Sequence, residues 1–250
     1  MKKKPVADPS LMSEEELYRL NIYHTSDANY CIKQLNSLYS LVNEDQDRSI
    51  VNAVYGKKVL DVGAGYGTLS KRLKVAGFSV TAIEPNPHTR KIAKNWNDID
   101  ELPYGIYQTP FEDNYFDTVI LRECVEHLDF NEALKEIKRI CNTRVLVFQT
   151  NLNPLIMLAR KRIGHEEYNP QKFNYYKKKL EEFGFSKQKV IFRDPIAFPL
   201  SGGYHAQQLI PRKPLLEHAI LGIDNTITKV FQLTGLASLF CWRYLLISDK

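Results

Sequence analysis

Two acidic residues and the glycine-rich stretch between them have the types and spacing to bind a ligand. Asp61 follows an apolar run and precedes Gly63, Gly65 and Gly67, which are spaced as Gly-x-Gly-x-Gly. Glycine has no Cβ atom, so such a stretch can turn sharply and its backbone can approach a ligand closely. Glu84 ends the next apolar run, and its carboxylate could accept hydrogen bonds from both hydroxyls of a ribose. The pattern indicates a site for a nucleoside-containing cofactor.

Three histidines could act as acids or bases, because an unperturbed imidazole titrates near neutral pH. His127 follows a glutamate, His165 begins His-Glu-Glu-Tyr, and His205 ends Ser-Gly-Gly-Tyr-His. The alternative for each is a packed or surface histidine, and His127 could serve mainly to fix a helix beside the fourth strand. His165 and its two acids lack a diagnostic metal-ligand spacing, so we predict no metal site.

Alternating strands and helices must position these residues. Strands are predicted at 58–62, 79–83, 105–108, 117–121, 144–150, 186–192 and 240–247, and helices at 67–76, 87–96, 131–141 and 170–183. This alternation predicts an α/β fold with a doubly wound, mostly parallel sheet of seven strands. Ligands of such sheets bind beyond the carboxyl ends of the strands, so Asp61, Glu84 and residues 121–123 should share one crevice.

The motifs resemble those of the class I, Rossmann-like methyltransferases that depend on S-adenosylmethionine (SAM). The stretch 110–128 is similar to the ubiquinone- and menaquinone-biosynthesis type, in which a Val-Leu-Glu-His-like sequence follows the fourth strand. Here that sequence is Cys-Val-Glu-His-Leu at 124–128. The resemblance covers roughly residues 57–192. It implies that the last strand is antiparallel and that an insertion, residues 195–238, precedes it.

The resemblance also implies that SAM is the cofactor. Asp61 would meet its ammonium group, Glu84 its ribose and Gln108 its adenine, where the family often has an acidic residue. Arg122 could also face an anionic acceptor. The expected cofactor-binding residues are Asp61, Gly63, Ala64, Gly65, Gly67, Glu84, Pro85, Gln108, Leu121 and Arg122.

A dinucleotide enzyme that uses NAD is the competing interpretation, because a glycine-rich turn and a later acid serve NAD as well. Three features favour SAM. The spacing is Gly-x-Gly-x-Gly rather than Gly-x-Gly-x-x-Gly, and Asp61 stands where NAD-binding folds usually keep an apolar residue. The segment 110–120 is also typical of the methyltransferase family.

Length and composition suit one α/β domain with elaborations. The chain has 250 residues, 44% hydrophobic, and a formal net charge of +5. We expect a helical cover over 1–56, with helices near 27–42 and 47–54, and a SAM-binding domain over 57–250. The four widely spaced cysteines indicate reduced thiols and a cytoplasmic protein. The modest charge and the lack of a recognisable RNA-binding module disfavour a nucleic-acid partner.

The insertion, residues 195–238, bears on the acceptor. An amphipathic helix predicted at 215–233 would line the acceptor pocket or lie on a membrane that holds a greasy substrate. Residues 230–247 are apolar but interrupted by Gln232 and Arg243, so no spanning helix is predicted.

The function expected from these features is methyl transfer, at oxygen, to a small molecule or biosynthetic intermediate. The acceptor would be a quinone precursor, a saccharide or a lipid-linked compound. An RNA or protein methyltransferase and an inactive SAM-fold partner subunit are the alternatives.

Overall fold

Six strands form one mixed sheet in a computed structural model that describes residues 37–154, 156–158, 171–203 and 208–250. The strands are β1 (Lys58–Val62), β2 (Ser79–Ile83), β3 (Phe116–Arg122), β4 (Cys141–Thr150), β5 (Lys187–Arg193) and β6 (Arg243–Asp249). Their order is β2-β1-β3-β4-β6-β5. The first four strands are parallel, and β6 is antiparallel to both of its neighbours, as the prediction for the last strand required.

Helices connect the strands and cover both faces of the sheet. They are α1 (Leu38–Ala53), α2 (Thr68–Val75), α3 (Pro87–Asn97), α4 (Phe130–Ile140), α5 (Phe173–Glu182), α6 (Ala197–Leu200), α7 (Pro214–Thr234) and α8 (Ala237–Phe240), with a short 3₁₀ helix at Val125–His127. The predicted start of α3 is confirmed. Asn86 caps it by accepting hydrogen bonds from the His88 and Thr89 amides, and Pro87 occupies the first helical position.

The side chains of β3 alternate between two apolar cores, one on each face of the sheet. Val119 and Leu121 pack in the core that contains residues of α4 and α5. Ile120 points to the opposite face, into the core that contains residues of α1 and α2. Strands buried on both faces explain why the predicted strands read as continuous apolar runs.

The third of the seven predicted strands, at 105–108, does not form within the described residues, so this prediction is wrong. At this edge of the sheet, Leu102 forms only an isolated bridge to Ile83. Pro103 follows immediately and has no amide hydrogen to extend the ladder, and Gln108 has a left-handed backbone with a φ of 54°. The apolar residues of this segment therefore lie in a loop beside β2.

The helical segment before β1 also differs from the prediction. Within the described residues, α1 is one continuous helix from 38 to 53, whereas two helices were predicted with a break near 43–46. Gln46 and Asp47, whose residue types are mostly exposed in proteins, are buried in the middle of α1. Asp47 pairs with Arg122 of β3 and Gln46 donates to Asp194, so these polar residues have partners within the helix's packing and do not interrupt it.

Three helices, α6, α7 and α8, lie between β5 and β6, in the segment predicted as an insertion. Side chains of α1, α6 and α7 form a third apolar cluster, which includes Leu38, Val42, Phe198 and Leu221. In the part of the chain that the structure describes, no helix has the length and apolar character needed to cross a membrane.

Candidate functional site

A cavity of about 420 Å³ opens at the carboxyl ends of β1, β2 and β3. The turn after β1 forms one wall, the end of β2 a second and the end of β3 a third. Residues of α1 also line the cavity. This is the position at which doubly wound sheets bind ligands, because the order of the strands reverses there, between β1 and β3.

The glycine-rich turn presents bare backbone to the cavity. The amides of Gly63 and Ala64 donate to the Ile83 carbonyl over 2.9 and 3.1 Å, which anchors the turn to β2. Gly65 has a φ of 62°, and a Cβ atom there would find no described neighbour closer than the Gly63 carbonyl oxygen at 4.0 Å. Open space therefore lies over Gly65, and a flat ligand could rest against it.

Glu84 joins the end of β2 to this turn. Its Oε2 accepts a hydrogen bond from the Gly65 amide over 3.2 Å, and its Oε1 accepts one from the Asn86 amide over 2.9 Å. Burial raises the pKa of Glu84, and these two hydrogen bonds oppose that shift. Each carboxylate oxygen keeps acceptor capacity for a further donor, such as a hydroxyl of a diol.

Asp61 lies one residue before the end of β1 and is 1% exposed. Its Oδ2 accepts a hydrogen bond from the Ser70 hydroxyl over 2.6 Å. Burial raises the pKa of Asp61 to about 6, although the Ser70 hydrogen bond opposes the rise. At neutral pH the group is therefore a buried carboxylate that lines the cavity and would attract a cation.

Glu101 immediately precedes Leu102, the residue that forms the isolated bridge to Ile83. It was not predicted as a site residue. Burial, together with the nearby charges of Glu84 and Asp61, raises the pKa of Glu101 to about 8. Three acidic groups are therefore close enough in space to influence one another, although they are far apart in the sequence. No local pattern marks Glu101, because the contact depends on the return of the chain to the edge of β2.

Arg122, expected at the cofactor, ends β3 and is held by α1. Its Nη1 lies 2.5 Å from Oδ1 of Asp47, while Nε of Arg72 lies 2.8 Å from Oδ2 of the same carboxylate. Arg122 and Asp47 both line the cavity. The positive charge of Arg122 is thus already paired within the protein.

His127 lies at the end of the 3₁₀ helix and lines the cavity, with 42% of its side chain exposed. Burial lowers the pKa of His127, so the imidazole is neutral at pH 7, the form that accepts a proton. Its position suits a group that meets a ligand.

Glu123 lines the same wall with a left-handed backbone, at a φ of 52°. Its Oε2 is 2.6 Å from Nη1 of Arg243, a fully buried residue of β6, and accepts a hydrogen bond from the Thr150 hydroxyl over 3.4 Å. The two partners, Arg243 and Thr150, fix the position of this carboxylate.

The other expected site residues fall into three groups. Gly63, Ala64, Gly65 and Pro85 line the cavity, as do the groups already described. Gly67, Gln108 and Leu121 do not: Gly67 caps α2 at a φ of 71°, and Leu121 is buried in the core. The histidines at 165 and 205 lie outside the described residues.

Residues that were not predicted as site residues also line the cavity: Tyr39, Asn43, Asp47, Thr68, Asn86, Thr89, Tyr104 and Ile106. The α1 residues among them come from the expected helical cover over 1–56. No group of three His, Cys, Asp or Glu side chains among the described residues could hold a metal ion.

The ionisable lining of the cavity is mainly acidic. Four acidic residues line it, Asp47, Asp61, Glu84 and Glu123, together with one arginine, Arg122, which is paired with Asp47. Such a lining favours a ligand that carries positive charge. It disfavours a pyrophosphate, because the two negative charges of that group would lie beside these carboxylates.

Comparisons with known proteins agree with this geometry. Residues 60–148 match a family described as "Methyltransferase domain". The chain is 28% identical over 134 residues to an uncharacterized methyltransferase of Alkaliphilus oremlandii, covering 52% of this chain and 59% of the relative. It is 32% identical over 113 residues to a ubiquinone biosynthesis O-methyltransferase of Haemophilus ducreyi, covering 41% and 48%. The chain thus spans about half the length of the curated relatives it matches.

A solved structure has the same overall architecture. A SAM-dependent methyltransferase from Archaeoglobus fulgidus superposes with a TM-score of 0.62 at 20% sequence identity, covering 90% of this chain and 100% of the other. At this identity the likeness concerns the fold.

Proposed function

We propose that this chain is a class I, Rossmann-like methyltransferase of the SAM-dependent type, and that the whole protein transfers a methyl group from SAM to an oxygen of a small molecule or biosynthetic intermediate. The match to a methyltransferase domain and the shared fold support this proposal. One observation carries the proposal. Glu84 accepts a hydrogen bond from the Gly65 amide, so a carboxylate suited to a diol and a stretch of bare backbone adjoin in one cavity.

The residues present fit SAM group by group. Open space over Gly65 suits the flat part of the cofactor, and Glu84 suits its ribose. Asp61, ionised at neutral pH, suits the ammonium group. The first turn of α2 has no side-chain cap, so its amides are available to the cofactor carboxylate.

The bound cofactor supplies an activated methyl group on a sulfonium, and the protein has to align the acceptor and manage its proton. A hydroxyl acceptor is more nucleophilic when a base removes its proton. His127 is the proposed base, since its neutral imidazole lines the cavity. Glu123, held by Arg243, would orient the acceptor through a hydrogen bond.

The acceptor proposed is a quinone precursor, a saccharide or a lipid-linked compound. The relative from Haemophilus ducreyi, named for ubiquinone biosynthesis, supports the first of these through the part of the chain that it matches. The cavity itself supports a neutral or cationic acceptor, because Arg122 is paired with Asp47 and acidic side chains dominate the lining.

Parallel calorimetric titrations with SAM, S-adenosylhomocysteine and NAD test the cofactor. Binding of the first two without NAD is the expected result, and binding of NAD alone would overturn the proposal. A panel of catechols, saccharides and lipid-linked sugars, incubated with methyl-labelled SAM, then tests the acceptor. A labelled methyl group attached to oxygen, as an ether, supports the proposal. A labelled methyl group attached to carbon or nitrogen would exclude O-methylation.

A further inference from the structure

The polarity of α7 is opposite to that of an ordinary surface helix. Its two acidic residues, Glu217 and Asp224, are 2% and 0% exposed and point inward together with Thr228. Leu215 and Leu233, by contrast, are 89% and 88% exposed. Surface helices normally bury the apolar stripe and expose the polar one. Here the protein buries the polar stripe and leaves the apolar one uncovered.

The inward acids are accounted for by partners inside the protein. Oδ1 of Asp224 accepts hydrogen bonds from the amides of Ile196 and Ala197 over 2.7 and 2.6 Å, at the start of α6. Oε1 of Glu217 accepts one from the Gln208 side chain over 2.8 Å. These contacts fix the rotation of α7, so the exposed stripe is a consequence of the packing.

The outer stripe is continuous and uncharged. Successive exposed residues follow intervals of three and four, which places them on one face of the helix: Leu215, Ala219, Gly222, Thr226, Val230 and Leu233. The stripe is about 27 Å long at a rise of ~1.5 Å per residue. Exposed Leu239 and Phe240 of α8 follow it along the chain. An exposed apolar surface of this extent marks an interaction site.

The hydroxyl groups on this face do not need water. The Thr226 hydroxyl donates to the Gly222 carbonyl over 3.0 Å, and the Thr234 hydroxyl donates to the Val230 carbonyl over 2.9 Å. A threonine that bonds within its own helix can enter an apolar medium without losing a hydrogen bond. The outer face is therefore suited to a hydrocarbon environment.

The exposed side chains with a formal charge in α7 and in the two residues before it have one sign. Arg212 and Lys213 are exposed just before α7, and Lys229 is exposed within it, whereas both acids of the helix are buried. An anionic lipid surface attracts such a rim, since each nearby cation adds to membrane affinity. A second copy of the same face would bring like charges together across the interface, which disfavours a dimer.

We propose that α7 and α8 dock the protein on an anionic membrane surface, with the outer stripe of α7 in the interfacial layer and its basic residues at the lipid headgroups. The helix would lie in the plane of the membrane, as amphipathic surface helices do. Ile220 and Leu221 belong to the apolar cluster that contains Leu38 and Tyr39 of α1, and Tyr39 lines the cavity. One helix therefore separates the docking face from the site.

Flotation of the full-length protein with vesicles tests the proposal. We expect binding to vesicles of phosphatidylcholine with phosphatidylglycerol, weaker binding to phosphatidylcholine alone, and a loss at high salt. The double variant Leu215→Glu with Leu233→Glu should reduce the partition coefficient at least about tenfold, because both side chains leave water on docking. Lys229→Glu should reduce only the additional binding that phosphatidylglycerol provides and should leave binding to phosphatidylcholine vesicles unchanged.

Matched controls separate docking from folding and general charge. Val75→Glu changes an aliphatic residue of another helix that is 83% exposed, and Lys177→Glu changes an exposed lysine of α5. Both controls should bind vesicles as the unchanged protein does. The proposal is overturned if the unchanged protein does not bind anionic vesicles, or if the double variant binds as well as the controls. Light scattering that reveals a dimer, dissociated by the double variant, together with no vesicle binding would assign the face to a second copy instead.

Discussion

Arg122 at the end of β3 and Asp47 in the middle of α1 form an ion pair, with 2.5 Å between Nη1 and Oδ1. Asp47 is fully buried and also pairs with Arg72 of α2. A single carboxylate therefore joins a strand end at the cavity to two helices on one face of the sheet. This pair ties the helix before the sheet to the site.

Asp47→Ala should destabilise the protein strongly, because it leaves two guanidinium groups without their shared partner. Removing one member of a buried ion pair costs about 3–5 kcal/mol in free energy of unfolding. Urea unfolding measures the change. Asp100→Ala is the matched control, since Asp100 forms an exposed pair with Lys94 over 2.8 Å and should have little effect. Equal losses in the two variants would contradict the role of Asp47.

Glu84→Gln should weaken binding of S-adenosylhomocysteine by about 1–3 kcal/mol, the usual cost of leaving hydrogen-bonding groups unsatisfied. The measurement is calorimetric titration with this product, which binds without reacting. Because Glu84 also accepts the Gly65 and Asn86 amides, the melting temperature of the free protein must be recorded as well. Unchanged affinity in a folded variant would remove Glu84 from the ribose site.

Alanine at three glycines should separate binding from folding. Gly65, Gly67 and Gly77 all have positive φ angles, so alanine introduces comparable backbone strain at each. At Gly67 a Cβ atom would also lie 3.0 Å from Ile99, whereas at Gly77 it would meet no described atom within 4 Å. Gly67→Ala should therefore lose the most stability, by about 1–3 kcal/mol from overpacking beyond the strain.

Gly65→Ala should resemble Gly77→Ala in free energy of unfolding, because its Cβ atom meets only open space. The same methyl group would occupy the space expected for the cofactor. Overpacking of this kind costs more than ~1.4 kcal/mol, which corresponds to a tenfold change in affinity, so the affinity for S-adenosylhomocysteine should fall at least about tenfold. Urea unfolding and calorimetric titration on the same samples measure the free energy of unfolding and the affinity for S-adenosylhomocysteine. Full affinity in Gly65→Ala would place the cofactor elsewhere.

Asp61 should make stability depend on pH. Its pKa is raised by burial from 3.8 to about 6 on folding, so the folded protein holds this proton more tightly than the unfolded chain. The contribution of this group to the free energy of unfolding is fully present below a pH of about 3.8. It is lost as the pH rises through about 6. The difference in free energy of unfolding between the unchanged protein and Asp61→Asn should fall by about 3 kcal/mol over this interval. Parallel pH profiles would contradict the assignment.

Local sequence signals were sufficient for the parts of the fold that short-range chemistry determines. The bounds of β1 and β2 agree with the prediction, because each is an apolar run that stops at a polar or glycine residue. Asn86 and Pro87 marked the start of α3 correctly for the same reason. The cavity residues at these boundaries, such as Glu84, could therefore be predicted from the sequence.

Packing between distant segments determines the rest. Asp47 reads as a surface residue until Arg122 and Arg72, which are far away in the sequence, are brought to it. Periodicity gives α7 two faces but does not say which is buried, and here the polar face is inside. The apolar residues near 105–108 resemble a strand, yet the preceding Pro103 prevents a ladder from forming.

His127→Asn should slow methyl transfer without destabilising the protein, because its half-exposed imidazole lines the cavity and contributes little to packing. A lost general base typically costs about 10²–10⁴-fold in turnover. Burial lowers the pKa of His127, so the turnover of the unchanged protein should rise with pH below the ordinary histidine value and level off above it. The variant should lack this rise. His218→Asn, at an exposed histidine of α7, is the control and should retain both rate and profile. A lower melting temperature with unchanged turnover in His127→Asn would instead support the packing role, because a base that contacts the acceptor cannot be removed without an effect on rate.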